Sequence, residues 1–205
     1  MDTLNSPFGP SGSAAAYLLV ERAIGYLQTH ATEQPSLSDL ALRLEVWESN
    51  LQRTFSAFAG VSPKRFLQYL TKEHARGLLL ASRDVLTVSY ETGLSSPGRL
   101  HNLLVHTEAM SPGEVRLGGA GVDLRYDWID TPFGPALAAC AERGLAYFGF
   151  VDTDFGERGT LNDMRARWPS AALRHDGYHW GLPRKAALIA RESARGEMSA
   201  AGATA

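Results

Sequence analysis

The sequence predicts a mainly α protein: two helix-turn-helix units joined by a long linker helix, followed by a small α/β segment with a short antiparallel β-meander. Three observations carry this prediction. First, residues 46–67, "VWESNLQRTFSAFAGVSPKRFL", lie without a gap over residues 95–116, "SSPGRLHNLLVHTEAMSPGEVR". Leu51 falls on Leu100, Ser62 on Ser111 and Pro63 on Pro112, and the apolar pairs Phe55/Leu104, Val61/Met110 and Phe66/Val115 match. Second, up to about residue 117 apolar side chains recur at helical spacing in short stretches, punctuated by Gly or Ser-Pro. Third, "GGAG" at 118–121 opens a region of short apolar runs separated by turn residues.

Taken in order, residues 1–13 are rich in Pro, Gly and Ser and are expected to be disordered. A helix follows with Val20, Ile24 and Leu27 on one stripe. "SLSDLALRL" places Ser36 as N-cap with Asp39 three residues on, then Leu37, Leu40, Ala41 and Leu44 at the i, i+3, i+4, i+7 spacing. A break at "EV" precedes a helix with Leu51, Phe55 and Phe58 inward, ended by Gly60. Ser62-Pro63 restarts the chain as a cap and a first-turn proline. The next helix carries Leu67, Leu70, His74 and Leu78 on one stripe and runs to about Ser82. The cycle then repeats with a short helix from Thr87, a turn at Gly93, and helices starting at Ser96-Pro97 and Ser111-Pro112, the last with a Ser111/Glu114 capping box.

Beyond the glycines, "LRYDWID", "PALAACA" and "LAYFGFV" read as three strands of a meander, with "TPFGP" and "ERG" as turns. "TLNDMRARW" reads as a helix, and after Trp168 the signals fade into a tail expected to be disordered. The domains are thus a disordered 1–13, a helical 14–118, a small α/β 119–174 and a tail 175–205.

A length of 205 residues suits one or two domains. One cysteine excludes a disulfide framework and a four-Cys zinc site. No apolar run approaches the ~18 residues of a membrane span, and the N-terminus lacks a basic n-region, so a cytoplasmic location and no membrane partner are expected. The net charge of −2 is unevenly spread. Arg53, Lys64, Arg65, Lys72, Arg76 and Arg83 stand against Glu73 alone between 49 and 83, whereas acids outnumber bases from 84 to 118. The first unit also presents Ser49, Asn50, Gln52 and Arg53, side chains that reach base edges and phosphates. The linker helix, at roughly 20 residues and ~1.5 Å each, is ~30 Å long. That is close to the ~34 Å between successive major grooves on one face of B-DNA.

These residues resemble a known family. "LSDLALRLEVWESNLQRTFSAFAGVSPKRFLQYL" followed by "VSYETGLSSPGRLHNLLVHTEAMSPGEVR" is similar to the double helix-turn-helix domain of AraC-family transcription regulators, over about residues 17–117. The resemblance implies seven helices, one base-reading helix in each unit, double-stranded DNA as partner, and RNA polymerase as a further one. The stretch "GGAGVDLRYDWIDTPFGPALAACAERGLAYFGFVD" is similar to Ada-type proteins, which fuse such a domain to a methylated-DNA–cysteine alkyltransferase. It resembles only that enzyme's N-terminal, ribonuclease-H-like subdomain. The alkyl-accepting Pro-Cys-His-Arg motif is absent from the sequence.

By this resemblance the reading positions fall on Ser49, Gln52 and Arg53, with Asn50 beside them. In the second unit they fall on Pro97, Gly98, Arg99, His101 and Asn102. Pro97 and Gly98 offer no side-chain hydrogen bond, so readout there is expected to be thin. Lys64, Arg65 and Arg116 are the phosphate candidates. Trp47 stands where relatives place a capping serine, which leaves the register of the first reading helix open. Leu94, Leu100 and Leu104 are expected in the core.

No cofactor, metal or catalytic group is expected, and the chain is read as no enzyme. Cys140, between Ala139 and Ala141, is a small core residue without a base to form thiolate. His175 and His179 have metal-like spacing, but Gly177 interrupts the helix that spacing requires. The alternative reading is a truncated, inactive repair fragment, from a frameshift or premature stop, whose meander is a vestige or a protein-interaction surface.

Overall fold

A computed structural model describes residues 10–151 and 153–176. The chain forms two compact units, Met1–Leu103 and Leu104–Ala205, with the division falling inside a helix.

The first unit begins with α1 (Pro10–Thr29), whose start lies inside the stretch expected to be disordered. Pro10 suits a first turn because its missing N–H has no intrahelical partner there. Val20, Ala23 and Leu27 of α1 are buried against Leu40, Ala41 and Leu44 of α2 (Leu37–Leu44), Leu51 and Phe55 of α3 (Glu48–Ala59), and Leu67 of α4 (Pro63–Leu80). The Ser36/Asp39 capping box is formed, and those hydrogen bonds hold the Asp39 carboxyl below its usual range. Glu45 closes α2 with a left-handed backbone, φ 59°, and donates its N–H to Ala41 and Leu42.

Two expectations for this unit need correction. Phe58 is 40% exposed rather than inward. The buried stripe of α4 is Pro63, Leu67, Thr71, Ala75, Arg76 and Leu79, one register from the one read in sequence, and His74 is exposed. The buried stripe contains two polar side chains, so apolar counting passes over it. Thr71 satisfies itself by donating to the Leu67 carbonyl, 2.9 Å away. Thr71 also accepts from Gln34 Nε2 at 2.9 Å, and the same nitrogen reaches the Thr92 carbonyl at 3.2 Å. One amide thus ties the 3₁₀ turn Ala31–Glu33, α4 and the turn after α5 (Val85–Glu91) together. α5 starts two residues before the expected Thr87 because Asp84 caps it, accepting from the Thr87 N–H at 2.9 Å.

α6 spans Pro97–Glu108 with Leu100 and Leu104 fully buried, while Leu94 before it is half-buried. Ala109 takes the left-handed place, φ 56°, that Gly60 takes after α3 with φ 71°. α7 (Pro112–Arg116) follows with the Ser111/Glu114 capping box formed.

The second unit then builds a four-stranded sheet in the order β3-β2-β1-β4. The meander runs β1 (Asp123–Thr131), β2 (Gly134–Ala141) and β3 (Gly144–Phe150), antiparallel throughout, with a bulge at Ala139/Cys140. α8 (Gly156–Arg167) carries the chain across, and β4 (Ala172–His175) pairs parallel to β1. β4 is absent from the sequence reading, since "ALRH" offers only two adjacent apolar side chains and no alternation. Leu137 and Ala139 pack with Met164 and Leu161 of α8 on one face. The other carries Ile129, Ala136 and Ala138, with Cys140 and Leu145 against them.

Candidate nucleic-acid interface

α3 is built to hold one face inward and present another. Leu51 and Phe55, four residues apart, are fully buried and pin the helix to α1 and α2. Ser49, Gln52 and Arg53 occupy the i, i+3, i+4 positions of a single face, and all three are exposed. Asn50 lies off that face, half-buried, with its Oδ1 accepting from Thr54 Oγ1 at 3.3 Å. The register left open by the sequence is resolved. Trp47 is the N-cap residue, no side chain caps the helix, and the Leu51 N–H meets the Trp47 carbonyl at 3.0 Å.

Lys64 and Arg65 stand in the first turn of α4, just after its Pro63, and both are exposed. Two cations there oppose the positive end of the helix dipole, a cost of ~0.3–1 kcal/mol each. That placement suits a site meant to meet negative charge. The wider basic run is less uniform than the sequence implies. Arg76 is buried, and Lys72 pairs with Glu73 at 2.9 Å while lying 5.1 Å over the Tyr69 ring. The exposed cations of this run are Arg53, Lys64, Arg65 and Arg83.

On α6 the exposed residues include Gly98, Arg99, His101 and Asn102, with Pro97 half-buried. Ser96 accepts from the Arg99 N–H at 3.4 Å and so caps this helix as no side chain caps α3. Arg116 ends α7, is exposed, and belongs to the second compact unit.

In that second unit the turn between α6 and α7 is gripped from the β2–β3 hairpin. Arg143, in the loop, donates to the Ala109 carbonyl at 3.3 Å and to the Glu114 carboxylate. Arg167 of α8 donates to Glu108 at the end of α6, a carboxylate only 2% exposed. Burial pushes the Glu114 carboxyl up, but the Ser111 N–H, the Arg143 guanidinium and the Ser111 hydroxyl together hold it below its usual value. Sequence reasoning missed these grips because both arginines lie far along the chain from their partners.

Cys140 sits in β2, half-buried, its Cα opposite those of Arg125 and Leu145. His175 lies 3.6 Å from Asp127 and edge-on to Tyr126, while His179 lies outside the described residues. Among the described residues no group of three or more His, Cys, Asp or Glu side chains could hold a metal. No described helix is long and apolar enough to cross a membrane.

Residues 40–118 match the family described as "Helix-turn-helix domain". The chain is similar to the regulatory protein Ada of Salmonella typhimurium, 27% identical over 141 residues. It also resembles the bifunctional transcriptional activator and DNA repair enzyme Ada of Escherichia coli, 25% identical over 136 residues. The matches take in 69% and 66% of this chain, and 38% of each relative. Among solved structures, an AraC-type transcriptional regulator from Chromobacterium violaceum is 23% identical at a TM-score of 0.47, covering 53% of this chain and 97% of that one. Residues 40–118 thus match a helix-turn-helix domain, in a chain that spans less than two fifths of the length of the Ada relatives it resembles.

Proposed function

We propose that the protein is a sequence-specific regulator of transcription that binds double-stranded DNA in the cytoplasm. The observation that carries this reading is the face of α3. Three polar side chains with base-reading chemistry share one exposed helix face, followed in sequence by an exposed pair of cations at the start of α4. Ser49, Gln52 and Arg53 read base edges, Gln suiting adenine and Arg guanine. Lys64, Arg65 and Arg116 rest on phosphates, which position the protein without reading sequence. Arg99, His101 and Asn102 give the second unit a supporting role, and Asn50 steadies α3 through Thr54. RNA polymerase is the partner such a regulator acts upon.

The reading is tested by selecting bound sequences from a random duplex pool with the full chain, then measuring Arg53→Ala on the selected site. A loss of ~1–3 kcal/mol in specific binding is expected. Unchanged affinity in a mobility-shift assay would remove Arg53 from the reading set.

A second reading concerns the sheet. Phe148 and Phe150, opposite Ala138 and Ala136 on the face away from α8, are exposed and pack edge-to-face at 5.2 Å. Paired exposed aromatics favour a protein-interaction surface over a repair centre. No methyl transfer is expected, and incubation with O6-methylguanine DNA followed by mass measurement of the protein tests this. A methylated chain would overturn it.

A further inference from the structure

We propose that Trp47 is a specificity-determining residue whose indole packs on the C5-methyl group of a thymine in the major groove. The proposal rests on the reading of α3 as a base-facing helix and adds to it a contact of different chemistry. It starts from a comparison inside the chain. Trp47 lies over Ser96 in the repeat, and Ser96 caps α6 whereas Trp47 leaves α3 with no side-chain cap. Giving up such a cap costs about 1 kcal/mol. The replacement is also the most exposed large apolar side chain among the described residues, at 84%. Two local rules are broken at one position, which is the mark of a residue kept for function.

The backbone there is not free to tuck the ring away. Trp47 is held extended at φ −71° and ψ 139°, its carbonyl accepts from Leu51, and Leu51 and Phe55 are fully buried. The indole therefore stands at the N-terminal end of α3, the end that base-facing helices insert. Glu48 beside it is exposed, and its carboxylate disfavours a phosphate there but not a base edge. The apolar group offered on a major-groove edge is the thymine methyl.

The test uses the full chain and its selected site, with each thymine replaced in turn by deoxyuridine, which lacks only the methyl. For the wild type, one substitution is expected to weaken binding about fourfold, the equivalent of ~0.8 kcal/mol for one buried methyl. In Trp47→Ala that ratio falls to about one while Arg53→Ala keeps it, and Trp47→Phe restores most of it. Wild-type affinity in Trp47→Ala overturns the proposal, as does a ratio that survives the substitution. Should the wild type select no sequence at all, the base-reading assignment of α3 falls first and this contact with it.

Discussion

A Cβ built on Gly93 would lie 1.8 Å from the carbonyl oxygen of Thr32. The turn between α5 and α6 therefore closes onto the 3₁₀ turn ahead of α2 with no room for any side chain, and its φ of +74° demands glycine independently. Gly60, in the turn after α3, has φ +71° but nothing within 4 Å. The two glycines separate strain from collision. Gly60→Ala is expected to cost about 1 kcal/mol, the left-handed penalty alone. Gly93→Ala adds displacement of a backbone carbonyl and is expected to cost about 3 kcal/mol or more. Thermal unfolding of the two variants checks the order, and equal losses would refute the close approach.

The grip of Arg167 on Glu108 sets a second expectation. Glu108 is a buried carboxylate, so taking its guanidinium away by Arg167→Ala is expected to cost about 3 kcal/mol. The double variant Glu108→Gln with Arg167→Met removes both charges and should recover much of that loss. Chemical denaturation of single and double variants provides the comparison; a double variant less stable than Arg167→Ala would contradict it.

Acid should loosen the second unit in a traceable way. The Glu114 carboxyl is held below its usual value of 4.5 in the folded chain. A depressed folded value means that the stabilisation is present above the unfolded value and is lost as pH falls through the folded one. Arg143→Ala removes one of the causes, so its stability should fall less than the wild type's between about pH 5 and pH 3. Asp39 and Asp84 shift in the same direction in the first unit, through Ser36 and Thr87. Their contribution cancels between wild type and variant. Thermal melts across pH give the difference, and parallel curves would show that Arg143 does not hold Glu114.

Salt should weaken DNA binding steeply. With about five phosphates contacted, log K is expected to fall against log salt with a slope of about −4.5. Lys64→Ala should lower the slope by about one while leaving sequence preference intact. A flat series would count against DNA binding itself.

Much of the helical half could be read from the residues because its punctuation is local. Ser36, Ser62 and Ser111 each cap the helix that follows, three or four positions decide each start, and the structure forms all three caps. The meander was equally readable, since its strands are adjacent and its turns carry glycine. Longer-range features were not. β4 needs β1, some fifty residues earlier, to be a strand at all. The α4 stripe hides behind buried Thr71 and Arg76, and Thr71 meets Gln34 from another part of the chain. At the candidate interface, residue types offered Ser49, Asn50, Gln52 and Arg53 and the family resemblance singled out Ser49, Gln52 and Arg53; those three share an exposed face, and Asn50 lies off it. What the sequence could not tell was that Trp47 points into solvent, because a lost cap says nothing of where the substituting ring goes.

The Gln34 amide has a consequence for how the first unit opens. Its one nitrogen donates to the Ala31 carbonyl, the Thr71 hydroxyl and the Thr92 carbonyl. Parting α4 from the turn after α5 strands partners of that amide, and a buried polar group left without its hydrogen bond costs about 1–3 kcal/mol. The two elements should therefore open together, so that amide hydrogens around Thr71 and at Thr92 exchange with solvent at a common rate. A side chain that belongs to neither helix thus sets the size of the cooperative unit.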